Sequence, residues 1–174
     1  MRTKSAWLLV VPFLVLSSPT STTLGGGAAL AVLGLLLRGW AAGTIRKDEE
    51  LTTRGPYARL RHPLYVGSFL IGTGLGIAGG HWIWPALVAG FFAVIYRRTI
   101  AEERGRLTEL FGASYVEYAA SVPALLPRLT PYRPAAAARP GFAWARYLRN
   151  REWEALLGAV AVLAVLTVKM LQDG

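Results

Sequence analysis

Cysteine is absent from the 174 residues, which excludes a disulfide framework, a thiol nucleophile and cysteine-ligated metals together. Histidine is nearly absent: His62 and His81 stand at opposite ends of one apolar run, an arrangement that does not make a multi-histidine metal site. Acidic residues are scarce, 10 against 19 Lys and Arg, for a formal net charge of +9. Charge of either sign is missing altogether between Lys4 and Arg38, and again between Arg61 and Arg97. What fills the chain instead is apolar: 53% of residues are hydrophobic and the mean hydropathy is +0.39, the composition of a membrane protein.

Each charge-free interval is about twice what one crossing of roughly 20 residues needs, and each is broken in its middle by turn-forming residues, SSPTSTTLGGG at 17–27 and GGHW at 79–82. Each therefore reads as a helical hairpin. With a fifth apolar run near the C-terminus, the sequence predicts an all-α, polytopic membrane helical bundle of about five transmembrane helices, at 6–18, 24–44, 64–79, 82–97 and 153–170. The basic residues concentrate in the N-terminus, the 46–61 loop and the 97–151 segment, and none stands at the two hairpin tips. The positive-inside rule then puts the N-terminus and both long loops in the cytoplasm, as expected for a prokaryotic inner membrane, with the loops against anionic headgroups. That asymmetry accounts for the basic balance without nucleic acid as a partner. Residues 1–18 also fit a signal peptide, but the first helix is expected to be retained.

Nearly all side chains capable of chemistry fall at this one end. Arg38 lies about two turns inside the basic cluster, where it either snorkels to the interface or holds an anion. The run Asp48, Glu49, Glu50 reads as solvated loop charge. In LTTRGPYARLRHPLYVG, residues 51–67, Pro63 suits the first turn of a helix whose free amides face the loop, and Arg61 and His62 beside those amides favour an anionic group. A proline-started, positive-inside anchor would look the same. In 96–129, Leu107, Leu110, Phe111, Tyr115 and Tyr118 share a helical face, which predicts an amphipathic interfacial helix. Arg98, Glu102 and Arg106 are spaced for a surface ion-pair ladder, whereas Glu103 lies in register with the apolar side.

Taken together, LLLRGWA, LTTRGPYARLRHPLYVG, the pair Glu102 and Glu103, and FGASYVEYAASVPALLP resemble, in this order and over residues 33–129, the isoprenylcysteine carboxyl methyltransferase and phospholipid methyltransferase superfamily of integral membrane enzymes. NREWEALLG at 150–158 also looks like its bacterial members. The resemblance implies S-adenosylmethionine as methyl donor, leaving as S-adenosylhomocysteine, in a pocket open to the cytoplasm, and a lipophilic acceptor that enters from the bilayer. It assigns donor binding to Arg61, His62, Pro63, Tyr65, Gly67, Glu102, Glu103, Tyr115 and Tyr118. The donor carries both signs, so Arg61 and the helix-start amides suit its carboxylate and Glu103 its ammonium. If the acceptor is an amine, Glu102 or His62 is the candidate base, and Arg38 would orient an anionic acceptor. Isoprenoid-type carboxylates, phospholipid amines and hydrophobic thiols stay open as acceptors.

Two other readings stand beside this one. Membrane sterol and steroid reductases that bind NADPH carry a similar arginine-histidine-aromatic-glycine element, but usually with an asparagine before the tyrosine and an acidic residue after the glycine, where this chain has Leu64 and Ser68. A non-catalytic scaffold binding anionic lipid would explain the charge but not the ordered motifs. The whole chain, 1–174, is expected to form one domain, with 130–150 an interfacial linker or a lid and 153–170 an apolar packing helix started by Asn150, Glu152 and Glu154.

Overall fold

The computed structural model describes residues 10–133 and 141–173. Residues 10–16 are helical (α1), followed by α2 (Ser21–Thr44), a 3₁₀ turn (Gly55–Ala58), α3 (Pro63–Ala78), α4 (Ile83–Ser121), α5 (Trp144–Arg149) and α6 (Trp153–Asp173). The described residues are helical and contain no strand, as the sequence predicts. The start of the first expected helix, before residue 10, and part of the 130–150 linker, 134–140, lie outside the described residues.

Three helices are long and apolar enough to cross a bilayer: Ser21–Thr44, Ile83–Ser121 and Trp153–Gln172. The 16 residues of α3 rise only about 24 Å, short of a hydrocarbon core of about 30 Å, so α3 is an apolar helix below the length of a full crossing. Leu33, Leu36, Phe91 and Val160 are exposed along these helices, a surface that only lipid can cover. The protein is an integral membrane protein.

Inside the bundle, small residues set the packing. Across α2 and α3, a Cβ on Gly34 would lie 2.6 Å from the Gly67 carbonyl oxygen, and one on Gly74 would lie 2.6 Å from the Ala31 nitrogen. The two backbones thus approach more closely than any side chain would allow, the membrane solution for helix association where burial of apolar area gives no drive. At the opposite end from the basic loops, Gly80 turns with φ 86° and His81 Nε2 lies 2.9 Å from Ser18 Oγ, joining the two hairpin tips.

Two helix boundaries differ from expectation. The second helix starts at Ser21, not 24, because Thr20 and Thr23 form a reciprocal cap that outweighs the three glycines following it. The fourth does not stop near 97. The run from 83 to 111 rises about 44 Å before the break at Gly112, with φ 55° and ψ −133°, so it leaves the bilayer carrying its charged residues. Beyond that break the chain folds back, and Tyr115, Tyr118 and Val122 form a small core with Leu51, Leu107, Phe111 and Tyr132. Leu110, expected on the same face, is 51% exposed: it stands about 100° around the helix from Phe111, which packs on that core.

Two tertiary devices fix the loop-bearing end. An extended strap follows Val122: Arg61 N–H donates to Pro123 O (2.9 Å), His62 N–H to Ala124 O (3.1 Å) and Arg128 N–H to Arg59 O (2.9 Å). The α5 segment seats under the end of α2, with Arg146 Nε donating to Gly43 O and Asn150 Nδ2 to Ala42 O, each at 2.8 Å. Those bonds satisfy carbonyls that a helix end leaves free.

Candidate functional site

A cavity of about 240 Å³ opens at the loop-bearing end of the bundle. Its floor is the first turn of α3, His62 to Tyr65; one wall is α4 and the returning segment, through Glu103, Arg106, Phe111, Tyr115 and Tyr118; the loop 45–52 and Tyr57 close the rest. Pro63 starts α3 without wasting a donor, and because His62 N–H donates to Ala124 O and Tyr65 N–H to His62 O, each at 3.1 Å, the first turn leaves, among the described residues, Leu64 N–H alone without a partner of this kind.

Glu103 is the hub. Its Oε2 accepts from Tyr65 Oη at 2.8 Å and lies 3.4 Å from His62 Nδ1. His62 is only 6% exposed and stacks on Tyr65 with ring centroids 5.2 Å apart. Tyr65 in turn meets Tyr96 edge-on at 4.5 Å. Opposite, Arg61 Nη1 donates to Tyr115 Oη at 3.3 Å and Tyr118 Oη donates to Tyr57 O at 2.7 Å, which locks the returning segment to the 3₁₀ turn.

Three buried polar atoms of this wall have no partner: Tyr57 Oη, Arg61 Nε and His62 Nε2. Unsatisfied buried groups each cost about 1–3 kcal/mol, and these three sit in cavity-lining residues with almost no exposed surface of their own. Burial pushes the Tyr57 hydroxyl well above the ordinary phenol range, with further contributions from Tyr118 and Glu103, so it is a neutral donor at any physiological pH.

Of the predicted site residues, the structure brings Arg61, His62, Pro63, Tyr65, Glu103, Tyr115 and Tyr118 to one cavity. It does not bring three others. Gly67 faces α2, where its Cβ would overlap Arg38 Cγ; it is a packing glycine and not part of the cavity lining. Glu102 is exposed and outside the lining, since the neighbour of Glu103 on a helix points about 100° away. Nor does Glu102 join an Arg98–Arg106 ladder, because Arg106 reaches instead to Asp48 at 2.5 Å.

Arg38 neither snorkels nor stands free for an anion. Its Nε and Nη2 donate to the two carboxylate oxygens of Glu152 at 2.9 and 2.6 Å, and Nη1 donates to Ser68 Oγ and to Leu64 O. This bidentate pair ties α2 to the start of α6 and reaches the backbone of a cavity residue.

Sequence reasoning missed Tyr57, Asp48, Glu50 and Glu152. Asp48 and Glu50 line the cavity mouth and are ion-paired to Arg106 and Arg54, so they are not merely solvated. Tyr57 lies inside a stretch singled out for its arginines, and its burial follows from the 3₁₀ turn started by Gly55 at φ 58° and Pro56. None of the described residues of 141–150 lines the cavity. Among the described residues no group of three His, Cys, Asp or Glu side chains could hold a metal ion.

A polytopic helical membrane protein with a mixed-charge cavity at one end is the class that fold and site define. Within it, the chain belongs to the phospholipid methyltransferase family, whose profile matches residues 27–114. It is 38% identical over 143 residues to the cobalt-zinc-cadmium resistance protein CzcN of Cupriavidus metallidurans, covering 73% of this chain and 64% of that protein. Identity to the nickel-cobalt-cadmium resistance protein NccN of Alcaligenes xylosoxydans xylosoxydans is 38% over 109 residues, 62% of this chain and 49% of that protein. The protein-S-isoprenylcysteine O-methyltransferase of Schizosaccharomyces pombe is 35% identical over 81 residues, 47% of this chain and 34% of the yeast protein. The chain thus spans less than two thirds of the length of these curated relatives. The matched segment contains most of α2, all of α3 and most of α4, together with Arg61, His62 and Glu103 of the cavity.

Proposed function

We propose that the protein transfers a methyl group from S-adenosylmethionine to a lipophilic acceptor at the cytoplasmic face of a prokaryotic inner membrane. The observation that carries this reading is the Glu103 hub facing Arg61 across a cavity with three unpartnered buried polar atoms. A zwitterionic donor with an added sulfonium needs both signs within a few ångströms, and the lining supplies them.

The residues divide the work. Arg61, beside the start of α3, suits a carboxylate; Glu103, held by Tyr65 and His62, suits an ammonium. Tyr57 Oη offers a neutral donor with no competing partner. Bound there, S-adenosylmethionine supplies an electrophilic methyl on its sulfonium. The protein's part is alignment and exclusion of water, which together account for most of what an in-line displacement requires. For an amine acceptor a proton must leave, and His62, whose Nδ1 is held by Glu103, is the candidate base. The concentration of basic residues at the cavity end supports a cytoplasmic orientation.

Incubating the reconstituted protein with methyl-labelled donor and a total membrane lipid extract tests the assignment. Label should enter the organic phase, and Glu103→Gln should reduce it by about tenfold or more, since it removes a charged hydrogen-bond acceptor. Absence of any transferred label with wild-type protein that binds the donor would contradict methyl transfer to lipid.

A further inference from the structure

Three consecutive acids, Asp48, Glu49 and Glu50, each meet an arginine on a different element. Asp48 meets Arg106 of α4 at 2.5 Å, Glu49 meets Arg149 of α5 at 3.6 Å, and Glu50 meets Arg54 at the start of the 3₁₀ turn. The posts on α4 and α5 are fixed. Arg106 stands before the break in α4, and α5 is bonded to the end of α2 through Arg146 and Asn150. Between these posts the loop lies across the cavity, with Lys47, Asp48, Glu50 and Leu51 in its lining.

The backbone of this loop is closed on itself. Arg46 N–H donates to Thr52 Oγ at 3.2 Å across its neck, and Glu49 N–H and Glu50 N–H donate to Arg46 O at 3.3 and 3.4 Å. Among the described residues no backbone-to-backbone hydrogen bond joins 46–52 to another element. What holds the loop down is side-chain contact: the ion pairs, and Leu51 packed against the core of Tyr115, Tyr118 and Val122. The Asp48–Arg106 and Glu49–Arg149 pairs are exposed. An exposed pair favours its closed geometry only weakly, by about two- to fivefold in the equilibrium, and salt screens it. Three such pairs on one short, self-contained loop make a closure that is firm when all hold and opens when they are screened.

We propose that residues 46–52 form a lid over the first cavity, latched by the three ion pairs, and that a water-soluble ligand enters and leaves only when the latch opens. That this ligand is the methyl donor rests on the methyl-transfer reading; the lid itself does not. Asp48 has φ 62°, a left-handed conformation that asparagine also tolerates, so Asp48→Asn removes the charge and keeps the backbone.

The full chain contains no cysteine, so one introduced thiol reports on the lid without interference. Leu51→Cys, with Thr52→Cys as a second reporter, is reacted in detergent with the uncharged reagent N-ethylmaleimide, and the exposed Ser114→Cys serves as reference. Relative to that reference, reactivity should rise about tenfold between about 0.01 and 1 M salt. At low salt Asp48→Asn and Arg106→Gln should each raise it about two- to fivefold. Together they should do no more than one alone, since they break the same pair, whereas Asp48→Asn and Glu49→Gln should multiply. In the chain without reporters, release of S-adenosylhomocysteine should accelerate in step with salt and with the same substitutions. Reactivity indifferent to salt and to all three substitutions would overturn the lid. Reactivity that responds while release of S-adenosylhomocysteine does not would overturn its gating of the cavity. A responsive lid on a protein that does not bind S-adenosylhomocysteine would support the latch and remove the methyl-transfer reading instead.

Discussion

Tyr57 and Glu152 show how differently two buried polar residues can be used. The Tyr57 hydroxyl is buried and without a partner, so removing it relieves a desolvation cost in the ligand-free protein. Tyr57→Phe should leave thermal stability in detergent unchanged or slightly higher, yet weaken S-adenosylhomocysteine binding by about five- to tenfold; a stability loss with unchanged binding would mean that the hydroxyl serves the fold. Glu152 has the opposite profile. It is 8% exposed and bidentate to Arg38, so Glu152→Ala strands an arginine among three helices and should cost about 3 kcal/mol, read from unfolding in detergent. Replacing both, Arg38→Met with Glu152→Leu, should recover most of that loss, because a well-packed apolar pair often equals a buried ion pair. Neither role was legible in the sequence. Arg38 could be placed at a depth, but its partner is 114 positions away, and no local spacing rule reaches that far. His62 and Glu103 were each legible locally, by the helix start and by register with the apolar face, but their 3.4 Å approach was not, since it depends on α3 and α4 being neighbours.

At the scale of elements, the charge-free intervals predicted the apolar helices α2, α3 and the first half of α4 because expulsion of charge from hydrocarbon is a strong and local rule. The end of α4 was not predicted by that rule. Charges at 97–106 mark where the helix leaves the bilayer, and they give no reason for it to stop. The signal for the break is one glycine, Gly112, whose φ 55° and ψ −133° are closed to a residue with a Cβ. No atom would meet a Cβ there, so Gly112→Ala isolates the backbone term. It should cost about 1–3 kcal/mol and loosen the Tyr115 and Tyr118 return, seen as faster amide exchange in 113–122 than in 83–97 of the same variant. The α2–α3 seam makes a second prediction at this scale. Gly74→Leu forces apart backbones that now touch, and should destabilise the bundle by at least about 1–3 kcal/mol, whereas Gly90→Leu, facing open space, should not.

For the molecule as a whole, a polar cavity stands at one end of an apolar helical bundle. The α2, α3 and α4 helices supply the hydrophobic frame and one wall, the kinked return supplies the other, and the Arg38–Glu152 pair ties the last helix to the same seam. The most direct test of this account is calorimetric titration of the detergent-purified protein with S-adenosylhomocysteine and NADPH in parallel, using Glu103→Gln as the control. The account predicts binding of S-adenosylhomocysteine alone, weakened about tenfold or more in the variant. Binding of NADPH alone, indifferent to Glu103, would contradict it and assign the cavity to a reductase.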